Sequence, residues 1–397
     1  MKLAVVTPRY GDEIPGGAET AARLLATRLA TRPDFDVVVL TTCALDASTW
    51  ADHYPAGASE VGGVRVHRFG VERHRAADFD ASTDLVVRRG RRVTDAQQQE
   101  WIQKQGPVAP GLIEAIAQCD ADAIAFHPFL YHPTVAALPR VADRAILHPA
   151  AHDEPMLRLP IYRSVFGAAA GLAYWSDPER HLVEQRFAVA SKPAVVVGLG
   201  VDSGEGSAAA AHRELGLDDR PYLLCLGRVD DGKGARLLAE CFANYKSRRA
   251  GPLQLIFAGP VVNPPPAHRD ITTVGAVSDA VKWGLLRGAQ ALVSPSAFES
   301  FSIVLMEAWS VGTPALVNSR CAVTVDHARR SGGAVAFAGY AELEVELDRL
   351  NGSPALRAAL GRAGKTYVDQ YYTWDDVIDR YAGFVQRVGT HRLATPD

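Results

Sequence analysis

The stretch SPSAFESFSIVLMEAWSVGTP, residues 294–314, holds two glutamates, Glu299 and Glu307, among Phe, Ile, Val, Leu, Met and Trp. ALVSPS (291–296) reads as a strand, SAFES as a turn and IVLMEAWSV as a helix whose apolar positions wrap most of its surface. A carboxylate on a buried helix must be paired or hydrogen-bonded. Glu307 lies too deep in that helix to cap it, whereas Glu299 precedes it, next to the amides of the first turn. Two carboxylate oxygens match two neighbouring hydroxyls. One glutamate could therefore hold a sugar and the other a ribose, with a phosphate on the helix amides between them. A second reading stays open for each: a buried salt bridge for Glu307, and a helix-start carboxylate favoured by the dipole for Glu299.

Three further constellations follow strands. In LCLGRVDDGKG (224–234), Arg228 and Lys233 stand on a glycine-rich turn, where a guanidinium fork and an ammonium can converge on a diphosphate. The alternative is solvated loop charge with Asp230 and Asp231 as partners. In TPRYGDEIPGGAET, Gly16 and Gly17 sit between strand and helix, where a ligand can approach the backbone and the helix amides favour an anion. An ordinary tight turn remains open, and the spacing is not the dinucleotide pattern G-x-G-x-x-G. In RAILHPAAHDEPMLRLP, the residues His148, His152, Asp153 and Glu154 cluster after a strand. Their spacing in a proline-broken loop is not that of a helical zinc site, so a hydrogen-bonding group is expected instead of a metal.

The elements that position these groups alternate from end to end. KLAVVTP (2–8), DVVVLTT (36–42), AIAF (123–126), RAILH (144–148), GLAYWS (171–176) and AVVVG (194–198) read as strands separated by helical patterns such as 18–30. The segment 201–221 is small, polar and turn-rich and reads as a linker, after which strands restart at 221–227, 253–259, 271–275, 291–296 and 313–318. This alternation implies parallel sheets covered by helices, with ligands beyond the carboxyl ends of the strands. WDDVIDRYAGFVQRV (374–388) is an amphipathic helix.

Length favours more than one domain, since the chain has 397 residues. Forty-two basic against 45 acidic side chains, net −3, supply no electrostatic reason to expect nucleic acid. Five scattered cysteines without a C-x-x-C pair indicate neither a disulfide framework nor a zinc site, and a cytoplasmic setting is expected. The N-terminal apolar run is too short for a signal segment, and no run reaches the roughly 18 to 20 residues that span a bilayer. The arginines within 73–92 read as a solvated face, with peripheral contact to an anionic membrane surface or acceptor as the other reading.

With GGAE, HD, GRVDDGKG, VGAVSD and FESFSIVLMEAWSVGTP in one chain, the sequence resembles the family 4 glycosyltransferases over nearly its whole length. The last of these is similar to that family's E-x7-E motif, with E-S-F-S where many members have E-G-F-G. The resemblance implies an α/β protein of GT-B architecture, two tandem Rossmann-like domains facing across a cleft. It places an acceptor domain at 1–200, a nucleotide-sugar domain at 201–372, and a C-terminal helix at 373–397 packing back on the first. It implies retaining hexosyl transfer to a carbohydrate or glycoconjugate acceptor, without metal or cofactor, the lean being mannose from GDP-mannose. Gly17 would face the donor diphosphate and His152 the hexose; Arg228 and Lys233 would bind the diphosphate and Glu299 the sugar hydroxyls. Phe301 and Ser302 would present amides, Glu307 would hold the ribose and Val277 would contact the base. Other readings are UDP-glucose or another UDP sugar as donor, a nucleotide-sugar epimerase, and a binding module without catalysis. No oligomeric state is implied.

Overall fold

The computed structural model describes residues 1–14 and 16–391. Among them the chain falls into two compact units, Met1–Leu199 together with the chain from Val377 onward, and Gly200–Asp376.

The first unit is built on eight strands: β1 (Lys2–Val6), β2 (Asp36–Thr42), β3 (Gly57–Val61), β4 (Val64–Phe69), β5 (Ala123–Phe126), β6 (Ala145–Leu147), β7 (Gly171–Tyr174) and β8 (Ala194–Val196). They are ordered β3-β4-β2-β1-β5-β6-β7-β8. Only β3 runs antiparallel, paired with β4. Val5 pairs with Val39 on one side and Ala125 on the other, so β1 is central and its β-branched residues are buried on both faces. The strands β3 and β4 were not expected. The sequence GASEV is exposed along the sheet edge, and a polar edge strand lacks the apolar run by which buried strands are read.

The last helix, Trp374–His391, supplies core to this unit: Tyr381, Phe384, Val385 and Val388 are buried, and Arg32 pairs with Asp379. Within 73–92, Arg75 lies against the Phe79 ring at 4.3 Å and Arg88 is paired with Asp84 at 3.2 Å. The side chain of Arg91 lies outside the described residues.

The second unit carries β9 (Tyr222–Leu226), β10 (Gln254–Ala258), β11 (Ile271–Gly275), β12 (Ala291–Ser294), β13 (Ala315–Asn318) and β14 (Ala334–Phe337), all parallel, in the order β11-β10-β9-β12-β13-β14. The chain winds outward from β9 through β10 to β11, then returns to the other side of β9 with β12. The strand order therefore reverses between β9 and β12, and ligands of doubly wound sheets bind at such a reversal. In the first unit the same reversal falls between β1 and β5. The segment expected to be a linker proves partly helical. Ser207 accepts from the Ala210 amide and caps a helix over Ala208–Leu215, which packs on the helix Asp279–Gly288. Its run of alanines has high intrinsic helix propensity, which the flanking Gly and Ser residues obscure in the sequence. No helix among the described residues is long and apolar enough to cross a membrane.

Candidate functional site

The loop that follows β9 is folded by one carboxylate. Asp230, buried, accepts from the Lys233 amide at 2.7 Å and from Arg228 Nε, while its carbonyl accepts the Ala235 amide at 3.1 Å. Arg228 is thus held by its inner nitrogen, with its side chain 59% exposed. The φ of Gly234 is +79°, and a Cβ there would stand 2.9 Å from the Pro295 carbonyl, so only glycine lets this loop close on the loop after β12. Asn318 at the end of β13 donates to the same Pro295 carbonyl at 2.8 Å. The close approach brings Lys233 Nζ to 2.7 Å from Glu299 Oε1, an ion pair linking the loops that flank the strand-order reversal.

Four residues beyond Glu299 begins the helix Ile303–Ser310. The Phe301 ring is buried, edge-on to His327 at 5.5 Å and to Tyr372 at 5.2 Å. His327 Nδ1 lies 3.0 Å from Tyr367 Oη, and burial pushes the imidazole down to about 4, so it is neutral. The ring anchor leaves the main chain of 301–303 to form the helix entry. Ser302 precedes the helix at φ +69° and ψ +71°, in the left-handed region. It is 4% exposed, and its Oγ is buried with no hydrogen-bond partner. The glycine common at this place in the resembling family suits that backbone, and serine does not.

Glu307 is the fifth residue of the helix. Of its two readings, the buried ion pair is present: Lys282 Nζ lies 2.8 Å from Oε1 and 3.1 Å from Asp279. Burial pushes the Glu307 carboxyl above the ordinary range, with the Lys282 ammonium pulling the other way. Lys282 also stands 4.8 Å from the centre of the Trp283 ring. Sequence reasoning missed Lys282, whose one available signal is its place in the helix behind the VGAVSD loop. Val277, in that loop, is half-buried.

In the first unit, Gly16 precedes the helix Gly17–Ala30, and a Cβ on it would collide with Glu19 Oε2. Glu19 folds back there because Arg9 Nε donates to it at 3.1 Å, both side chains being buried. Gly17 has nothing within 4 Å of where a Cβ would stand.

The expected cluster after β6 does not assemble as one group. His148 enters the core, stacked on His127 at 4.0 Å with Nε2 2.9 Å from Tyr381 Oη. Asp153 turns to Arg158 at 3.0 Å. His152 Nδ1 is 3.3 Å from Glu154 Oε1. Beneath them lies Glu179, which no sequence signal marked. Its carboxylate accepts from the Ala151 amide at 2.7 Å and the Trp175 amide at 2.6 Å. Burial pushes its carboxyl up to about 8 while those amides pull it down. Among the described residues, no three His, Cys, Asp or Glu side chains converge as a metal site would require.

Residues 220–343 match the family profile described as Glycosyl transferases group 1. A curated relative, the D-inositol 3-phosphate glycosyltransferase of Segniliparus rotundus, is 25% identical over 243 residues, 57% of this chain and 54% of that protein. The chain thus spans about half the length of that relative. Among solved structures, sucrose-phosphate synthase from Thermosynechococcus elongatus aligns with a TM-score of 0.74 at 16% identity, covering 98% of this chain and 99% of that one. A trehalose-6-phosphate structure from E. coli, bound with UDP-2-fluoro glucose, gives 0.70 at 11% identity over 98% and 99%.

Proposed function

We propose, for a chain of GT-B fold whose residues 220–343 match the glycosyl transferases group 1 profile, the transfer of a hexose from a nucleotide sugar to an acceptor hydroxyl on a sugar or glycoconjugate. The supporting observation is the Lys233–Glu299 pair at 2.7 Å, joining the loops after β9 and β12 just before the free amides of the helix Ile303–Ser310. A diphosphate seated on those amides meets Lys233 and Arg228, which neutralise the charge that grows as the sugar–phosphate bond breaks. Glu299 then exchanges its ammonium partner for hexose hydroxyls. Glu307 takes the ribose diol while Lys282 balances its charge, Val277 stands against the base, and Phe301 and Ser302 contribute main-chain amides.

The proposed reaction retains the anomeric configuration and needs no metal. The bond from the anomeric carbon to the phosphate oxygen breaks as the acceptor oxygen bonds to that carbon on the same face. The departing phosphate oxygen takes the acceptor's proton, so no protein nucleophile is required, in contrast to a retaining glycosidase. On the first unit, Gly17 serves the donor diphosphate and His152 the hexose, each tested by its own substitution.

GDP-mannose, the donor favoured from sequence, has no support among these similar proteins, and the E. coli neighbour carries a UDP sugar. UDP-glucose therefore takes first place in a thermal-shift panel of nucleotide sugars, in which a selective rise with one donor assigns base and sugar together. Glu307→Ala and Lys233→Ala should each lower transfer by about 100-fold or more. Turnover close to wild type in both would sink the reading.

A further inference from the structure

We propose that Glu179 is a positioning residue: its carboxylate holds the loop that carries His152 in a left-handed turn at Ala150. The inference rests on the role given to His152 above. That loop leaves β6 and is fixed at its base by His148, buried between His127 and Tyr381. The next step is the turn itself. Ala150 has φ +52°, a region that alanine enters at a cost because its Cβ crowds the backbone. Such a conformer persists only where the surroundings impose it.

Glu179 supplies the imposition. Its Oε1 takes the amide of Ala151, the residue between the strained turn and His152, while Oε2 takes the amide of Trp175 just past the end of β7. The side chain is itself anchored from the helix Asp177–Arg186, whose Ser176 cap accepts the Glu179 amide at 3.3 Å. One buried group thus ties the His152 loop to a neighbouring strand end. The two amides meet different oxygens, and a carboxylate offers both as acceptors where a carboxamide offers one. Beyond the tie, the His152 carbonyl accepts the Glu154 amide at 2.7 Å, and His152 Nδ1 lies 3.3 Å from Glu154 Oε1. The loop is therefore fixed on both sides of the strained residue.

The test compares wild type with Glu179→Gln, Ala150→Gly and the double variant, at about pH 9, where a carboxyl raised by burial is ionised. Glutamine keeps one acceptor and turns a donor toward the other amide. Amide hydrogen exchange across 149–154 should speed up about tenfold or more in Glu179→Gln, with exchange in Gly200–Asp376 unchanged. The kcat should fall about tenfold while the donor KM stays within about twofold. Glycine enters the left-handed region freely, so adding Ala150→Gly should recover part of both losses, a rescue that a general loss of stability would not show. Wild-type exchange and kcat in Glu179→Gln, or no rescue in the double variant, overturns the proposal. Glu179→Asp, one methylene shorter, reads the same quantities if glutamine prevents folding. Should wild type turn over no donor at all, the proposed activity falls, and the exchange rates and their rescue alone decide the tie.

Discussion

Ser302 is the position at which the structure makes its sharpest energetic demand, and Ser302→Gly tests it. Serine at φ +69° pays about 1–3 kcal/mol for a left-handed backbone. Its buried hydroxyl without a partner adds about 1–3 kcal/mol. Against these gains, glycine frees the unfolded chain by about 0.5–1 kcal/mol. It also gives up the small packing contribution of one side chain. The balance is a stabilisation of about 1–5 kcal/mol. In a unit the size of Gly200–Asp376, each kcal/mol is worth about 2–4 °C, so the midpoint of its unfolding should rise by about 2–20 °C. Ser302→Ala separates the two sources, because alanine keeps the strained backbone and removes only the hydroxyl; it should rise less than glycine. Calorimetry of the three proteins decides the matter. A fall in the glycine variant, or an alanine variant less stable than wild type, would mean that the hydroxyl is bonded in solution and the argument fails.

Two further outcomes follow from the same unit. Lys282→Ala leaves Glu307 buried without its ammonium and should cost about 3 kcal/mol in urea unfolding, most of it recovered when Glu307→Gln is added; strictly additive losses would refute the pairing. His327 is held neutral at about 4 against an ordinary 6.5, so the unfolded chain binds its proton first. The stability it contributes is complete above pH 6.5 and is lost as pH falls from there to about 4, with a slope of about 1.4 kcal/mol per pH unit. His327→Gln should flatten that acid limb by this amount, and an unchanged limb would contradict the neutral, buried imidazole.

The residues standing in loops between a strand and its helix were the ones the sequence could reveal. Lys233 and Glu299 stand within a few residues of glycine-rich or turn-forming punctuation, and their meeting follows from parallel strands lying side by side. Lys282 and Glu179 escaped because each acts across a gap that only the packing closes. Lys282 reaches Glu307 from another helix, and Glu179 reaches back 28 positions to Ala151. The hydrophobic period that marks strands likewise fails for β3, which is exposed along its length, and β14 is a four-residue segment that was not read. Glu19 illustrates the opposite case. It lies inside GGAE, and its bond to Arg9 sets its carboxylate where a Cβ on residue 16 would stand.

The helix at the end of the chain has a bearing on how the protein is made. Tyr381, Phe384, Val385 and Val388 complete the interior of a unit whose strands all precede Gly200. During synthesis that unit leaves the ribosome first, yet lacks part of its core until the whole of Gly200–Asp376 has been translated. The later unit has every element of its core before the earlier one does. The order of emergence and the order of completion are therefore reversed. The apolar strip that waits for the helix, around Gly171 and His148, is the surface a nascent chain must shield in the meantime.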